Sequence, residues 1–351
     1  MLALMSINAI QVPFSLGAAM ERDELERVVN VEWHIDAGNH GILRVGARVE
    51  DRHQLINKLR AIGHPGLVVF SSGSSGKPKA ILHDIDKVAA KFSQSRRPWR
   101  MMLMLLIDHF GGFNTLLSSL ADGGVGVCVA ERTPEVVCRA IEKWRADLLP
   151  TTPTFLGMLI ASELWRRHDL TSLKLITYGA EPMPETTLKR LRHILPGVEL
   201  KQTYGLSELG VLRTSSPEAG SLWLRVGGEG FETRIVEGQL HIRSASNMLG
   251  YLNAPSAIDR EGWMNTGDLV EERDGLIRFL GRKSEVINVG GQKVFPSEVE
   301  NVILAAEGVS EVVVSSTPHP LLGNAVVARV ALTTPEDHKS AIDRLRAHCR
   351  D

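Results

Sequence analysis

The stretch GLVVFSSGSSGKPKAILH, residues 66–83, decides how the rest of the chain is read. An apolar run with strand character, GLVVF, leads directly into Ser71-Ser72-Gly73-Ser74-Ser75-Gly76-Lys77-Pro78-Lys79, and a second apolar run, AILH, follows. Gly73 and Gly76 allow positive φ and a close approach by a ligand. The hydroxyls of Ser71, Ser72, Ser74 and Ser75 offer donors, and Lys77 and Lys79 add positive charge. Exposed backbone amides combined with lysine suit a polyphosphate. The P-loop pattern G-x-x-x-x-G-K-[ST] is not met, because the residue five before Gly76 is Ser71 and Pro78 stands where Ser or Thr belongs. A Walker-type NTPase is therefore disfavoured. A flexible Ser/Gly linker has no need of apolar strands on both flanks.

Outward from this loop, residues 66–215 alternate short apolar runs (VGVCVA, LKLITYG) with helix-period segments such as residues 135–145, which predicts an α/β layer with a mainly parallel sheet. After Gly220 the texture changes to short strands (LWLRVGG, FETRIVEG, QLHIRSA, GLIRFLG), which predicts a small antiparallel, β-barrel-like subdomain. A boundary is expected at residues 281–294. The spacing Ser297-Glu298-Val299-Glu300 before Val302, Ile303 and Ala306 predicts a helix capped by Ser297. EVVVSSTP and AVVARVAL then read as strands, and residues 338–351 as an amphipathic helix. The expected architecture is thus α/β. A large N-terminal domain of αβ layers with its β subdomain spans residues 1–282, and a smaller, mobile α+β lid spans residues 283–351.

Composition narrows the partners. With 40 Lys+Arg against 41 Asp+Glu, the formal charge is −1, which argues against a nucleic-acid surface, since phosphate binding needs a clustered cationic excess. The longest purely apolar run, residues 101–107, is far short of the ~20 residues that span a bilayer, so no membrane insertion is expected. The apolar N-terminus has no basic residue before Arg22 and is interrupted by Ser6, Asn8, Gln11 and Pro13, which does not fit a signal peptide. Cys128, Cys138 and Cys349 show no metal-type spacing and read as reduced thiols of a cytoplasmic protein.

Four more segments follow the loop in order: TYGLSELG (residues 203–210), GQLHIRSASNMLGYLN (238–253), NTGDLV (265–270) and GRKSEVINVGGQKVFPSEVE (281–300). Together the five collinear segments resemble the adenylate-forming superfamily of acyl- and aryl-CoA synthetases, peptide-synthetase adenylation domains and firefly luciferase. The resemblance implies a two-step ligase. A carboxylate attacks the α-phosphate of ATP to give acyl-AMP and pyrophosphate, and a thiol, from CoA or from the phosphopantetheine of an acyl carrier protein, then displaces AMP.

The same resemblance assigns residues. Residues 71–76 together with Lys77 and Lys79 would hold phosphates, with Lys77 also catalytic. Glu208 would be a catalytic ligand of Mg2+, an ion that favours carboxylate and phosphate oxygens, and Ser207 would offer its hydroxyl to a phosphate. Asp268 would accept from the ribose hydroxyls, as acidic residues do in other nucleotide folds. Arg282 would bridge ribose and phosphate with its rigid fork. Gly179, Ala180 and Glu181 would form the turn against adenine, with Tyr204 also on the nucleotide.

Residues 101–120, MMLMLLIDHFGGFNTLLSSL, resemble the family's apolar strand, His and helix beside the carboxylate. They make Asp108, His109, Gly112 and Phe113, with Gly205, the expected acid pocket. Gly111 and Gly112 would leave room for a bulky acid, and His109 would be a donor or cation near its carboxylate. Asp108 keeps an amino-acid substrate open as an alternative. Lys87, Lys91, Arg96, Arg97 and Arg100 read as a solvated face, or as a contact for the phosphates of CoA or of a carrier protein. Ser284 falls at the hinge, and Gly290 and Gly291 on the thiol side.

Three features depart from the family. Only 70 residues precede Ser71, Asn288 replaces a Lys common after the hinge, and the catalytic Lys of a Ser/Thr-Gly-Lys segment has no counterpart before Asp351. The first predicts an abbreviated N-terminal subdomain. The last predicts a truncated chain or, as an alternative function, a degenerate homologue that binds an adenylate without turnover.

Overall fold

The computed structural model describes residues 1–15, 22–36, 38, 41–46, 52–71, 77–94, 96–218, 220–228 and 230–350. Its centre is a five-stranded sheet in the order Glu199–Gln202, Leu175–Tyr178, Leu148–Thr151, Arg100–Leu103, Val125–Cys128, with every pairing parallel. Parallel neighbours need crossover helices, and these cover the sheet and bury it. Helix Pro134–Trp144 shows how the sequence sets its ends: Thr133 accepts from the Val136 amide, Pro134 takes the first turn, and Arg145 stops the helix in the left-handed region at φ 52°. Met102, Leu149, Leu156, Ile176 and Leu191, all fully buried, fill the core between this sheet and its helices.

GLVVF does not join that parallel layer. Gly66–Ser71 pairs antiparallel with Lys79–Asp84, from Gly66 opposite Asp84 to Ser71 opposite Lys79, in a second sheet completed by Ile10–Gln11 and Gly250–Tyr251. The phosphate-type segment thus connects two antiparallel strands. AILH supplies the second of these strands, on which Ile81 and Leu82 are completely buried.

The expected antiparallel sheet follows, ordered Phe231–Val236, Gln239–Ser244, Trp263–Arg273, Leu276–Arg282. Its last pair sets Asp268 directly opposite Arg282. LWLRVGG contributes only the short strand Arg225–Val226.

The smaller C-terminal part is a four-stranded sheet ordered Gln292–Val294, Ile287–Val289, Gly323–Leu332, Val309–His319, with helices Pro296–Ala305 and His338–His348. Helix Pro296–Ala305 begins two residues earlier than a cap at Ser297 predicts: Phe295 is its N-cap, Pro296 occupies its first turn, and the Ser297 hydroxyl donates instead to the Leu280 carbonyl at 2.7 Å. That contact, with the Glu185 amide donating to Asn301 Oδ1 at 3.1 Å, joins this part to the larger one. No described helix is long and apolar enough to cross a membrane.

Candidate active site

The segment TYGLSE is the hub of the site. Residues Tyr204–Leu206 and Gly210–Leu212 form a hairpin with Gly205 opposite Val211. A Cβ on Gly205 would lie 2.5 Å from the Gly210 carbonyl oxygen, so the missing side chain lets the two strands close. Four neighbours grip this hairpin from different parts of the chain.

The first is the turn after Leu175–Tyr178. A Cβ on Gly179 would meet Thr203 Oγ1 at 2.5 Å, while the Thr203 amide donates to the Tyr178 carbonyl at 2.7 Å. Ala180 takes φ 70°, a region that costs a non-glycine residue energy and marks sites where the surroundings fix the backbone. The Glu181 carboxylate accepts from the amide and hydroxyl of Thr154, at 3.0 and 2.6 Å, which ties the turn to the start of helix Pro153–Ala161.

The second is Asp268. The Tyr204 hydroxyl donates to Asp268 Oδ2 at 2.6 Å, and Arg282 Nε lies 3.1 Å from Oδ1. The Tyr204 ring stacks on Phe279, centroids 4.4 Å apart. Burial raises the Asp268 pKa, opposed by the Tyr204 hydrogen bond and the Arg282 charge; burial and the Asp268 charge push Tyr204 well above its ordinary value. At neutral pH the phenol therefore keeps its proton and donates it. Asp268 and Arg282 present a carboxylate and a guanidinium side by side, the pair that sugar hydroxyls and a phosphate require.

The third is His83, on the strand that leaves the phosphate-type hairpin. It is fully buried, and its Nε2 donates to the Ser207 carbonyl at 2.7 Å. Burial depresses its pKa to about 4, so the ring is neutral and its Nε2 carries the proton that the carbonyl accepts.

The fourth is Tyr251, whose hydroxyl donates to Glu208 Oε1 at 2.9 Å and whose ring lies beneath Lys79 Nζ, 5.1 Å from the centroid. Burial and the Glu208 charge raise the Tyr251 pKa. Glu208 Oε2 accepts no hydrogen bond among the described residues. One free, ionisable oxygen beside a phosphate-type loop fits Mg2+, which takes few protein carboxylates and completes its shell with phosphate and water. Asn253 fastens the same corner, accepting from the Ala80 amide and donating to the Pro78 carbonyl, both at 2.9 Å.

Ser72, Gly73, Ser74, Ser75 and Gly76 lie outside the described residues. At their flanks, Ser71 faces Lys79 across the strand pair and Lys77 is exposed.

The expected acid pocket is brought together only in part. His109 is exposed at the N-cap of helix Phe110–Ala121. Gly112 does not leave room for an acid: a Cβ there would lie 2.0 Å from the Leu106 carbonyl oxygen, so the backbone already occupies the space. Phe113 is buried in a core with Phe110, Ile81 and Tyr251. Asp108 Oδ2 accepts from the amide and hydroxyl of Ser15, while its buried Oδ1 has no hydrogen-bond partner among the described residues.

Ser284 is exposed in the single turn Lys283–Glu285. Gly290 and Gly291 form the two-residue turn between Ile287–Val289 and Gln292–Val294, with φ 57° and 91°, the geometry of a type I′ hairpin. Of the basic stretch, Arg97 and Arg100 are exposed as expected, but Lys91 is half-buried.

His83, Tyr251, Asn253 and Phe279 are the contributors that sequence reasoning missed. The signals were present as a buried-strand His in AILH, the Tyr and Asn of GYLN, and an aromatic three residues before Arg282.

Comparison with known proteins gives the family of the chain. Residues 15–252 match the AMP-binding enzyme model and residues 298–351 the AMP-binding enzyme C-terminal domain. The chain is 30% identical over 285 residues to 4-coumarate–CoA ligase-like 5 of Oryza sativa subsp. japonica, covering 74% of this chain and 52% of that protein. It is 29% identical over 313 residues to the medium/long-chain-fatty-acid–[acyl-carrier-protein] ligase FadD10 of Mycobacterium tuberculosis, covering 76% and 57%. The chain thus spans little more than half the length of these relatives. Its fold is similar to that of the amide bond synthetase McbA from Marinactinospora thermotolerans, with a TM-score of 0.71 at 24% identity over 98% of this chain and 74% of that one. The match over residues 15–252, more than half of the chain, shows that the chain belongs to the AMP-binding enzyme family.

Proposed function

We propose that this chain activates a carboxylic acid with ATP and passes the acyl group to a thiol. The observation that carries the reading is the single hairpin 204–212, which ties the ribose-type pair Asp268 and Arg282 to the phosphate-side pair Glu208 and Lys79 through Tyr204 and Tyr251. In the first step a carboxylate oxygen of the acid bonds to the α-phosphorus, and the bond to the pyrophosphate oxygen breaks. Residues 71–76 with Lys77 and Lys79 hold the phosphates, and Ser207 offers its hydroxyl to one of them. Glu208 holds Mg2+ with its free oxygen; that ion, when bound, neutralises charge on the phosphates. Gly179, Ala180 and Glu181 wall the adenine, with Tyr204 beside it. His109, exposed at a helix N-terminus, faces the acid's carboxylate.

In the second step a deprotonated thiol sulfur attacks the acyl carbon and AMP leaves. CoA or carrier-bound phosphopantetheine fits this role, supported by relatives named for each thiol class. The C-terminal part, from residue 283 onward, is read as a lid that turns about Ser284 and brings Gly290 and Gly291 to the thiol side. The free cysteines Cys128, Cys138 and Cys349 support a cytoplasmic setting.

Acid-dependent exchange of pyrophosphate into ATP tests the first step. A second reading, amino-acid activation, is favoured by Asp108 Oδ1, which has no partner among the described residues and would accept from an α-ammonium. Exchange with carboxylic acids that lack an amino group, and none with amino acids, excludes it.

A further inference from the structure

Helix Glu185–Ile194, the segment Gly220–Trp223 and Arg278 of strand Leu276–Arg282 enclose a cavity of about 310 Å³. Local sequence choices build it. Gly220 takes φ 73°, and a Cβ there would lie 3.2 Å from Arg192 Cδ, so the glycine lets the segment close on the helix. Ser221 Oγ accepts from the Trp223 amide at 3.0 Å and fixes the turn of the segment. Leu188 is buried, and it lines the cavity together with Leu222 and Trp223. The cavity stands apart from the nucleotide residues. Arg278 comes four residues before Arg282, about 13 Å along an extended strand.

The charge of the cavity is one-sided and uncommitted. Lys189, Arg192 and Arg278 share it with a single carboxylate, that of Glu185. Lys189 pairs with that carboxylate at 2.8 Å, and its ammonium, aided by the charge of Arg278, holds the Glu185 pKa below its ordinary value. The guanidiniums of Arg192 and Arg278 make no hydrogen bond or ion pair among the described residues. One free arginine on a surface is ordinary. Two of them, from a helix and from a strand, converge here on one concavity with apolar walls, and the donors of both forks remain unused. A concave site lined by one sign of charge concentrates counter-ions. An apolar lining with a few strong polar groups is also the usual composition of a small-molecule site, and this volume lies at the lower end of the range for such sites.

We propose that this cavity binds a small aromatic phosphate monoester, with Arg192 and Arg278 on the phosphate and Trp223 and Leu188 beside the ring. A phosphate dianion matches the two free guanidiniums in charge, and its oxygens suit their fork geometry. A carboxylate would leave one guanidinium uncompensated. The inference is independent of the acid-activating reading, because none of these residues takes part in it.

The test uses the full chain and three probes: phenyl phosphate, inorganic phosphate and phenol. Calorimetric titration is read for the wild type, Arg192→Gln, Arg278→Gln and Lys77→Met, the last beside the phosphate-type segment. The wild type should bind one phenyl phosphate per chain, at least fivefold more tightly than inorganic phosphate, and phenol should give no saturable signal. Arg192→Gln and Arg278→Gln should each weaken phenyl phosphate at least fivefold, while Lys77→Met leaves its Kd within twofold. Tryptophan fluorescence should change on binding, and Trp223→Phe should remove that change. Neither guanidinium has a partner to lose, so both arginine variants should melt with the wild type; should one fail to fold, the other carries the test. No saturation by phenyl phosphate up to about 10 mM overturns the inference. So does equal affinity for inorganic phosphate, or binding that survives in both arginine variants.

Discussion

The Nε2 proton of His83 rests on the Ser207 carbonyl at 2.7 Å, so a strand that leaves the phosphate-type loop holds the backbone of the residue just before Glu208. The two residues are 124 positions apart in sequence. Through this bond the loop flanks and the Glu208 carboxylate are positioned as one unit, with Tyr251 closing the other side.

Stability should fall on acidification through this bond. His83 takes its proton near pH 4 in the folded protein and near its ordinary 6.5 when unfolded. The unfolded chain therefore binds the extra proton first, and folding loses on the order of 3 kcal/mol as pH drops from 6.5 to 4. Urea titrations across that range should show a smaller loss for His83→Gln than for the wild type.

Tyr204→Phe leaves Asp268 Oδ2 buried without its donor, a defect worth about 1–3 kcal/mol. Urea unfolding should register that loss. Asp268→Asn keeps the shape but removes the charge opposite Arg282, so equilibrium binding should show ATP affinity falling roughly tenfold, the equivalent of ~1.4 kcal/mol.

Gly112→Ala tests whether that glycine makes room for substrate or for backbone. With a Cβ 2.0 Å from the Leu106 carbonyl oxygen, the substitution should destabilise the protein by about 2 kcal/mol or more, read as a lowered melting temperature. A stable variant with an altered acid preference would return Gly112 to the pocket.

Lys91 is held near pKa 8, mainly by burial, below its ordinary 10.5. Between those values the unfolded chain holds the proton that the folded one has released, so wild-type stability should rise with pH across that interval. Lys91→Met should lack this rise in the same denaturation series.

Much of this was legible in the sequence because it is local. The parallel strands follow from apolar runs, and the antiparallel sheet after Gly220 from short strands separated by turn residues. What stayed hidden depends on residues far apart in sequence. Nothing local in GLVVF distinguishes a parallel partner from the antiparallel AILH. The two Gly112 neighbours give no hint that the Leu106 carbonyl fills its space. The bond from Ser15 to Asp108 spans 93 positions, and Lys91 is indistinguishable in sequence from its exposed neighbours Arg97 and Arg100.

The central claim, that Glu208 supports ATP-dependent activation of an acid, is tested most directly by exchange of labelled pyrophosphate into ATP over a panel of carboxylic acids. The account predicts acid-dependent exchange by this chain and at least a tenfold lower rate for Glu208→Gln, corresponding to ~1.4 kcal/mol of transition-state stabilisation. Exchange that Glu208→Gln leaves intact, or none with any acid, would contradict it.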